Sequence, residues 1–386
     1  MFSDLSAYYL RWYHSRPVGI CSARRDELRR LHRVLYRSIE ELVQHYEDYV
    51  QDWGFSDKEW ELLERQSAYP FRAGTYRPDY ILSRDGNLLL CEITSRFFAH
   101  GIFMGWFGYQ AGRNFCARFP DAAVEFRFPE LMACMRSLAD GKRRLYVLKS
   151  ADRSGEIRLY RRFYEAMGLQ TEEIEAPEVE ARRKDWSRPD ALAVNALNQR
   201  DLLGFSLDTL EAMMACGMVS ELRTTFLIHD KRFLALWLDS RFTGSCLEAD
   251  DAAFLAAHTI PTYLEMPADA YENKDGYILK PYRLGKSEGV MAGPLVSREQ
   301  WQRRLDQGVE GCLFQPFIPQ RSFPTVWEGT PFQDYLCGMM LCVDDRYFDS
   351  GFFRCSSLPV TNQGDDRKAF VLHTDDPVLL SQCDRL

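Results

Sequence analysis

No stretch of this 386-residue chain approaches the roughly 18 consecutive apolar residues that a membrane-spanning helix requires. The first residues, Met-Phe-Ser-Asp-Leu-Ser-Ala-Tyr-Tyr-Leu-Arg-Trp, lack a basic segment followed by an apolar one, so no export is expected. The eleven cysteines include no Cys-x-x-Cys and no Cys/His pairing at zinc spacing. Reduced, mostly buried thiols in a reducing cytoplasm are the expectation. Positive charge is not in excess either: 48 Lys and Arg stand against 56 Asp and Glu, a net charge of −8. Counterion release needs a basic stripe, so a general nucleic-acid binder is excluded. There is no internal repeat and no low-complexity tract. With no membrane and no nucleic acid expected as partner, small molecules remain, and oligomeric state is not legible.

What is there is a globular composition, 46% hydrophobic, long enough for two or three domains. From Asp26 to Asp48, Leu28, Leu31, Val34, Leu35, Ile39, Leu42 and Val43 recur at helical spacing, and Ser56-Asp57 opens a second helix through Leu63. A hairpin follows at Tyr76 to Thr94, then an aromatic and glycine-rich loop from His100 to Gly108. Strand and helix then alternate: Arg144 to Lys149, a helix from Gly155 to Gly168, a charged connector from Glu172 to Asp185, a strand from Asp190 to Asn195 and a helix from Ser206 to Met218. That succession indicates a parallel α/β layer. Beyond Leu227 the pattern turns to antiparallel strands at Tyr277 to Pro281, Gly311 to Ile318, and Tyr335 to Val343 paired with Tyr347 to Arg354. The expected division is 1–142 for N-terminal helices and a hairpin, 143–226 for the α/β layer, and 227–386 for an α+β module.

The hairpin carries the strongest chemical signal. Asp85-Gly86 between two β-rich runs reads as a two-residue turn, because both residues tolerate positive φ. That turn sets Asp79 opposite Glu92, Arg77 opposite Thr94 and Ile81 opposite Leu90 on one face, leaving Tyr80, Leu82, Leu89, Cys91 and Ile93 for the other. Two facing carboxylates are destabilising unless a cation separates them. Mg²⁺ is bound by one or two carboxylates together with substrate phosphates, and an adjacent arginine suits phosphate. The alternative is an ordinary solvated face with Arg77 paired to one acid.

Three later elements add to it. Asp230-Lys231 heads an apolar-periodic helix, where a lysine opposes the helix dipole unless an anion binds there. The strand Tyr277 to Pro281 brings Lys280 to a loop bracketed by Gly285 and Gly289, with Lys286 and Ser287 between them. Such a loop lets backbone N–H groups approach phosphate. Gly285-Lys286-Ser287 lacks the earlier glycine of a P-loop. Lastly, Gln315 with Phe317 and Ile318 offers one amide and two apolar faces, the chemistry that receives an adenine. Each segment alone also reads as ordinary structure: a solvent-facing lysine, a hairpin loop, a core strand.

Taken in order, these motifs resemble the glutathionylspermidine synthetase family of ATP-grasp ligases from about Thr75 to Ser356. Arg77-x-Asp79 and Glu92-x-Thr94 match its first two motifs, with Thr94 where the family has Asn. The resemblance implies an ATP-grasp fold, α+β with a parallel α/β layer ahead of it, in which metal-binding strands precede the nucleotide-binding lobes. It implies Mg²⁺ held by Asp79, Glu92 and Thr94, and ATP held by Lys231, Lys280, Gly285, Lys286, Ser287, Gly289, Gln315, Phe317 and Ile318. Arg77 would bind the γ-phosphate, and Arg354 would sit near an acyl phosphate. The implied activity joins a small-molecule carboxylate to an amine at the expense of ATP. A small-molecule kinase that stops at the phosphorylated product is one alternative; Thr94, a weaker ligand than an amide, and Glu288, a negative charge in the phosphate loop, leave open a second, a weakened ATP-binding partner protein.

Overall fold

The computed structural model describes residues 2–386 except 96–100, 151–154, 217, 220, 284, 286 and 362–366. Its strands are β1 (Val18–Ile20), β2 (Thr75–Leu82), β3 (Leu88–Thr94), β4 (Arg144–Lys149), β5 (Gln170–Glu175), β6 (Ala191–Ala196), β7 (Tyr277–Pro281), β8 (Met291–Ala292) and β9 (Cys312–Pro316). They continue with β10 (Ser322–Trp327), β11 (Thr330–Met339), β12 (Cys342–Val343), β13 (Arg346–Tyr347), β14 (Phe352–Ser356), β15 (Arg367–His373) and β16 (Asp384–Arg385). The result is a mixed α/β architecture around three sheets.

The largest sheet is mixed and runs β13-β12-β2-β11-β14-β15-β1-β16, with β3 added beside β2 and β10 beside β11. It joins the early hairpin to strands from the last third of the chain. A parallel sheet, β5-β4-β6, forms the α/β layer, and an antiparallel sheet, β8-β7-β9, carries Lys280 and Gln315. The segment expected to be a charged connector, Glu172 to Asp185, begins inside β5. Its alternating burial, with Glu173 reaching Lys149 and only Ile174 fully covered, is that of an edge strand whose charges point outward. A sequence so rich in Glu carries no apolar run to announce it.

The helix Ser22–Gln44 buries Leu28, Leu31, Val34, Leu35, Ile39, Leu42 and Val43, the full apolar stripe read from the sequence. Asp57–Ser67 is closed by a capping box between Ser56 and Glu59. Both pack into the core that also holds Tyr80, Leu90 and Ile93 of the hairpin. All eleven cysteines are free thiols. Among the described residues no helix is long and apolar enough to cross a membrane.

The expected pairing of Tyr335 to Val343 with the following strand is met in two parts. β11 pairs with β14, Cys337 opposite Arg354, and a short β12–β13 hairpin turns at Asp344, whose φ of 52° a short polar side chain tolerates.

Candidate functional site

Arg77, Asp79 and Ile81 alternate along one face of β2, and β3 sets Thr94 opposite Arg77 and Glu92 opposite Asp79. The turn is longer than the two-residue loop expected. Ser83 N donates to Asn87 O at 2.9 Å, Gly86 N donates to Ser83 O at 2.9 Å, and Gly86 takes a φ of 84° that its missing side chain permits. Register near the turn is therefore displaced, with Tyr80 opposite Leu90 and Ile81 opposite Leu89, and a bulge at Cys91 restores it before the acids. Leu89 rather than Leu90 lies on the acid-bearing strand face, and Cys91 turns into the same cleft as Asp79 and Glu92.

That cleft encloses about 750 Å³, part of it open to solvent. Asp79, Glu92, Lys280, Ser287, Gln315, Phe317, Ile318 and Arg354 all line it. They come from the large sheet, the small antiparallel sheet and the loop after β7, so the cleft lies between the two sheets. Ile260, Ile278 and Val290 supply apolar walls.

The facing acids are already neutralised by the protein. Arg77 donates Nε to Asp79 Oδ1 and Nη2 to Asp79 Oδ2, both at 2.6 Å, and Nη2 also reaches Thr94 Oγ1 at 3.3 Å. Arg77, Asp79 and Thr94 are all buried. Burial pushes the Asp79 carboxyl upward, and the charges of Arg77 and Arg354 oppose that rise. Thr94 thus supports Arg77 from behind rather than facing the cleft. Glu92 behaves differently. Burial alone would raise it, but Lys231, Lys280 and His229 hold its pKa down to about 2, and its side chain keeps 23% of its surface exposed. It is the ionised carboxylate presented at the opening.

Lys231 lies 3.8 Å from Glu92 Oε2, and Lys280 Nζ donates to the Cys91 carbonyl at 3.3 Å. The segment Lys231–Leu238 is a 3₁₀-helix rather than the α-helix its periodicity suggested. Asp230 caps it by accepting from Arg232 N, and its carboxylate also binds the Arg232 guanidinium at 2.9 and 2.7 Å. Arg283 Nε reaches the same carboxylate at 2.9 Å while its Nη1 binds Glu59 Oε1 at 2.6 Å. Lys231 N donates to Tyr282 O at 2.9 Å, so the lysine is tied to the end of the strand that bears Lys280. Asp230, Arg232, Arg283 and Glu59 form a clasp that the sequence did not reveal; only Asp230-Lys231-Arg232 is contiguous, and its partners are distant in the chain.

Gln315 is fully buried and donates Nε2 to Thr262 Oγ1 at 2.8 Å. Thr262 Oγ1 donates onward to Ile260 O at 3.2 Å, which fixes the amide orientation. Its Oε1 has no hydrogen-bond partner among the described residues, and Gln315 lines the cleft. Gly285 is buried, Gly289 takes a φ of 69°, and Ser287 at 58° contributes to the wall. Lys286 lies outside the described residues. Glu288 is exposed and is not part of the cleft wall.

Glu92, at the opening, and Asp79, which lines the same cleft while both its oxygens accept from Arg77, are hard oxygen donors that fit a Mg²⁺ ion drawing most of its ligands from phosphate and water. Among the described residues no group of three or more His, Cys, Asp or Glu is placed to hold a metal by itself.

Residues 31–227, just over half of the chain, match the family described as the AnkG N-terminal domain, and the chain belongs to that family. The matched segment contains Arg77, Asp79, Glu92 and Thr94 and ends before Lys231. The chain is similar to a protein of Aspergillus thermomutatus named as the ATP-grasp enzyme ankG, at 29% identity over 148 residues. That similarity covers 33% of this chain and 31% of the relative, so the chain matches less than a third of the relative's length.

Proposed function

We propose that this protein is an ATP-grasp enzyme, an ATP-dependent carboxylate–amine ligase with the site layout of the glutathionylspermidine synthetase family. One observation carries the reading: a single cleft lined by Asp79, Glu92, Lys280, Ser287, Gln315 and Arg354, with Lys231 against Glu92. The name of the ankG relative points to the same class.

Adenine would enter between Phe317 and Ile318 on one side and the apolar walls opposite, with Gln315 Oε1 accepting from its exocyclic amine. Lys280 and Lys231 would bind phosphate oxygens, and the loop Gly285 to Gly289 would close over them. Asp79 and Glu92 would hold Mg²⁺, which lowers the charge on the phosphates and polarises the bond to be broken. Arg77, locked by Asp79, acts on the phosphate end through the position and charge it gives that carboxylate. Arg354 would neutralise the carboxylate substrate and then the acyl phosphate formed when its oxygen attacks the γ-phosphorus and ADP leaves. An amine then attacks the acyl carbon, phosphate departs, and an amide remains. The protein's contribution is charge neutralisation and positioning.

Incubation with Mg-ATP and pairs of carboxylic acids and amines tests this. Amide and ADP formed together support the ligase; a stable phosphate ester identifies a kinase instead. ADP release unchanged in Asp79→Asn and Glu92→Gln would overturn the mechanism.

A further inference from the structure

A second recess of about 380 Å³, part of it open to solvent, lies among Tyr109, Arg127, Phe128, Phe348, Asp349 and His373. On β14 and β15, Arg354 is paired with Lys368, and alternation puts Val371 and His373 on the opposite sheet face. The recess is therefore separate from the cleft that Arg354 lines. Its floor holds a carboxylate in an unusual state. Asp349 is 2% exposed, its backbone takes a φ of 64°, and neither carboxylate oxygen has a hydrogen-bond partner among the described residues. A buried carboxyl group without hydrogen bonds is costly, and a left-handed backbone in a non-glycine residue adds strain.

The surrounding groups restrict what satisfies it. His373 Nε2 stands 3.4 Å from Ser350 O; a carbonyl only accepts, so Nε2 carries the proton and Nδ1 is an acceptor. Nδ1 also lacks a partner among the described residues. Burial pushes the His373 pKa down, which keeps the ring neutral. Arg127 also lines the recess and acts electrostatically on Asp349, but it donates to Glu130 at 2.8 Å and to Tyr347 O at 2.8 Å, not to the Asp349 carboxylate. The recess thus offers two carboxylate oxygens and an imidazole nitrogen as acceptors, walled by the rings of Tyr109, Phe128 and Phe348. Three acceptors, two of them on one carboxyl group, and aromatic faces match a group with three N–H donors and one positive charge.

We propose that this recess is a binding site for the ammonium group of a small primary amine, distinct from the nucleotide cleft. The proposal stands independently of the ligase reading.

Methylammonium chloride is the probe, compared with sodium chloride and tetramethylammonium chloride at equal ionic strength, by thermal unfolding over a concentration series. A saturable rise in the unfolding midpoint is expected for methylammonium alone. Asp349→Asn keeps the shape and suits the left-handed backbone but removes the charge, and should weaken the response by about tenfold or more. His373→Gln gives a second reading should Asp349→Asn not fold, and should weaken it as well. Equal effects of the three salts mean that buried water suffices for Asp349 and overturn the proposal. A methylammonium response that survives in the variants also overturns it.

Discussion

The ammonium of Lys231 lies 3.8 Å from the Glu92 carboxylate, joining a 3₁₀-helix of the C-terminal half to a strand of the early hairpin. Since burial acts to raise the Glu92 pKa and Lys231, Lys280 and His229 nonetheless hold it down to about 2, the folded state prefers the ionised form. The sign follows directly. Such a group contributes stability above its ordinary pKa, and that contribution is lost as pH falls from about 4.5 toward 2. The expected contribution is on the order of 2–3 kcal/mol. Urea unfolding across that range should show a steeper acid loss for the wild type than for Glu92→Gln. Parallel curves would mean that the lysines do not act on this carboxylate in solution.

Arg77 and Asp79 are a buried bidentate pair, so removing one partner strands the other charge. Arg77→Met alone should cost about 3–5 kcal/mol, while the double change Arg77→Met with Asp79→Leu should recover much of it. Equilibrium unfolding of these two variants and of Asp79→Leu alone checks this, and additive losses would show that the two residues act separately.

How far the hairpin was readable shows where sequence reasoning ends. The alternation of Arg77, Asp79, Glu92 and Thr94 is local, fixed by a strand period of two, and the structure keeps both pairings. The extra turn residue and the Cys91 bulge cancel each other, so the acids remain opposite although Ile81 faces Leu89. What no local pattern contains is tertiary neutralisation. Facing acids imply a cation, and the residues alone do not say whether it is a metal, an arginine across two positions or a lysine from another element. β5 was missed for a related reason: its Glu-rich edge is paid for by Lys149 and Arg161, which other segments supply. Asp349 and His373 belong to the same class, since two polar residues separated by β14 carry no signal until a helix covers them.

Gln315 should set base preference. Thr262 holds its Nε2, leaving Oε1 to accept from an amino group, which adenine presents at its edge and guanine replaces with a carbonyl. Gln315→Leu is expected to reduce discrimination of ATP from GTP by about 10–100-fold. Binding of both nucleotides to the two proteins measures it; an unchanged ratio would remove Gln315 from the adenine site.

The clasp of Asp230, Arg283 and Glu59 touches no cleft surface yet fixes the turn that carries Lys231. Arg283→Met should therefore weaken Mg-ATP binding by about tenfold while leaving far-UV circular dichroism unchanged. A loss of nucleotide binding matched by a loss of fold would instead make the clasp a stability element.

Glu156 provides a pH dependence of opposite sign to that of Glu92. Burial raises its carboxyl to about 7, against the backbone N–H groups of Phe103, Gly101 and Met104, which favour the ionised form. Phe103 N donates at 2.6 Å and Met104 N at 3.3 Å to the same oxygen, so this side chain fixes the start of the helix Gly105–Cys116. Between its ordinary pKa and about 7 the native state binds a proton that the unfolded chain has released. Stability must then fall as pH rises through that window, by about 3 kcal/mol for a shift of this size. Glu156→Gln retains an acceptor for the loop and cannot ionise, so its unfolding free energy should fall less steeply than that of the wild type between about pH 4.5 and 7, the remaining slope coming from Glu221, which burial also raises to about 7. Because that helix also walls the recess holding Asp349, the methylammonium response of the wild type should weaken at the alkaline end of the window and that of Glu156→Gln should not.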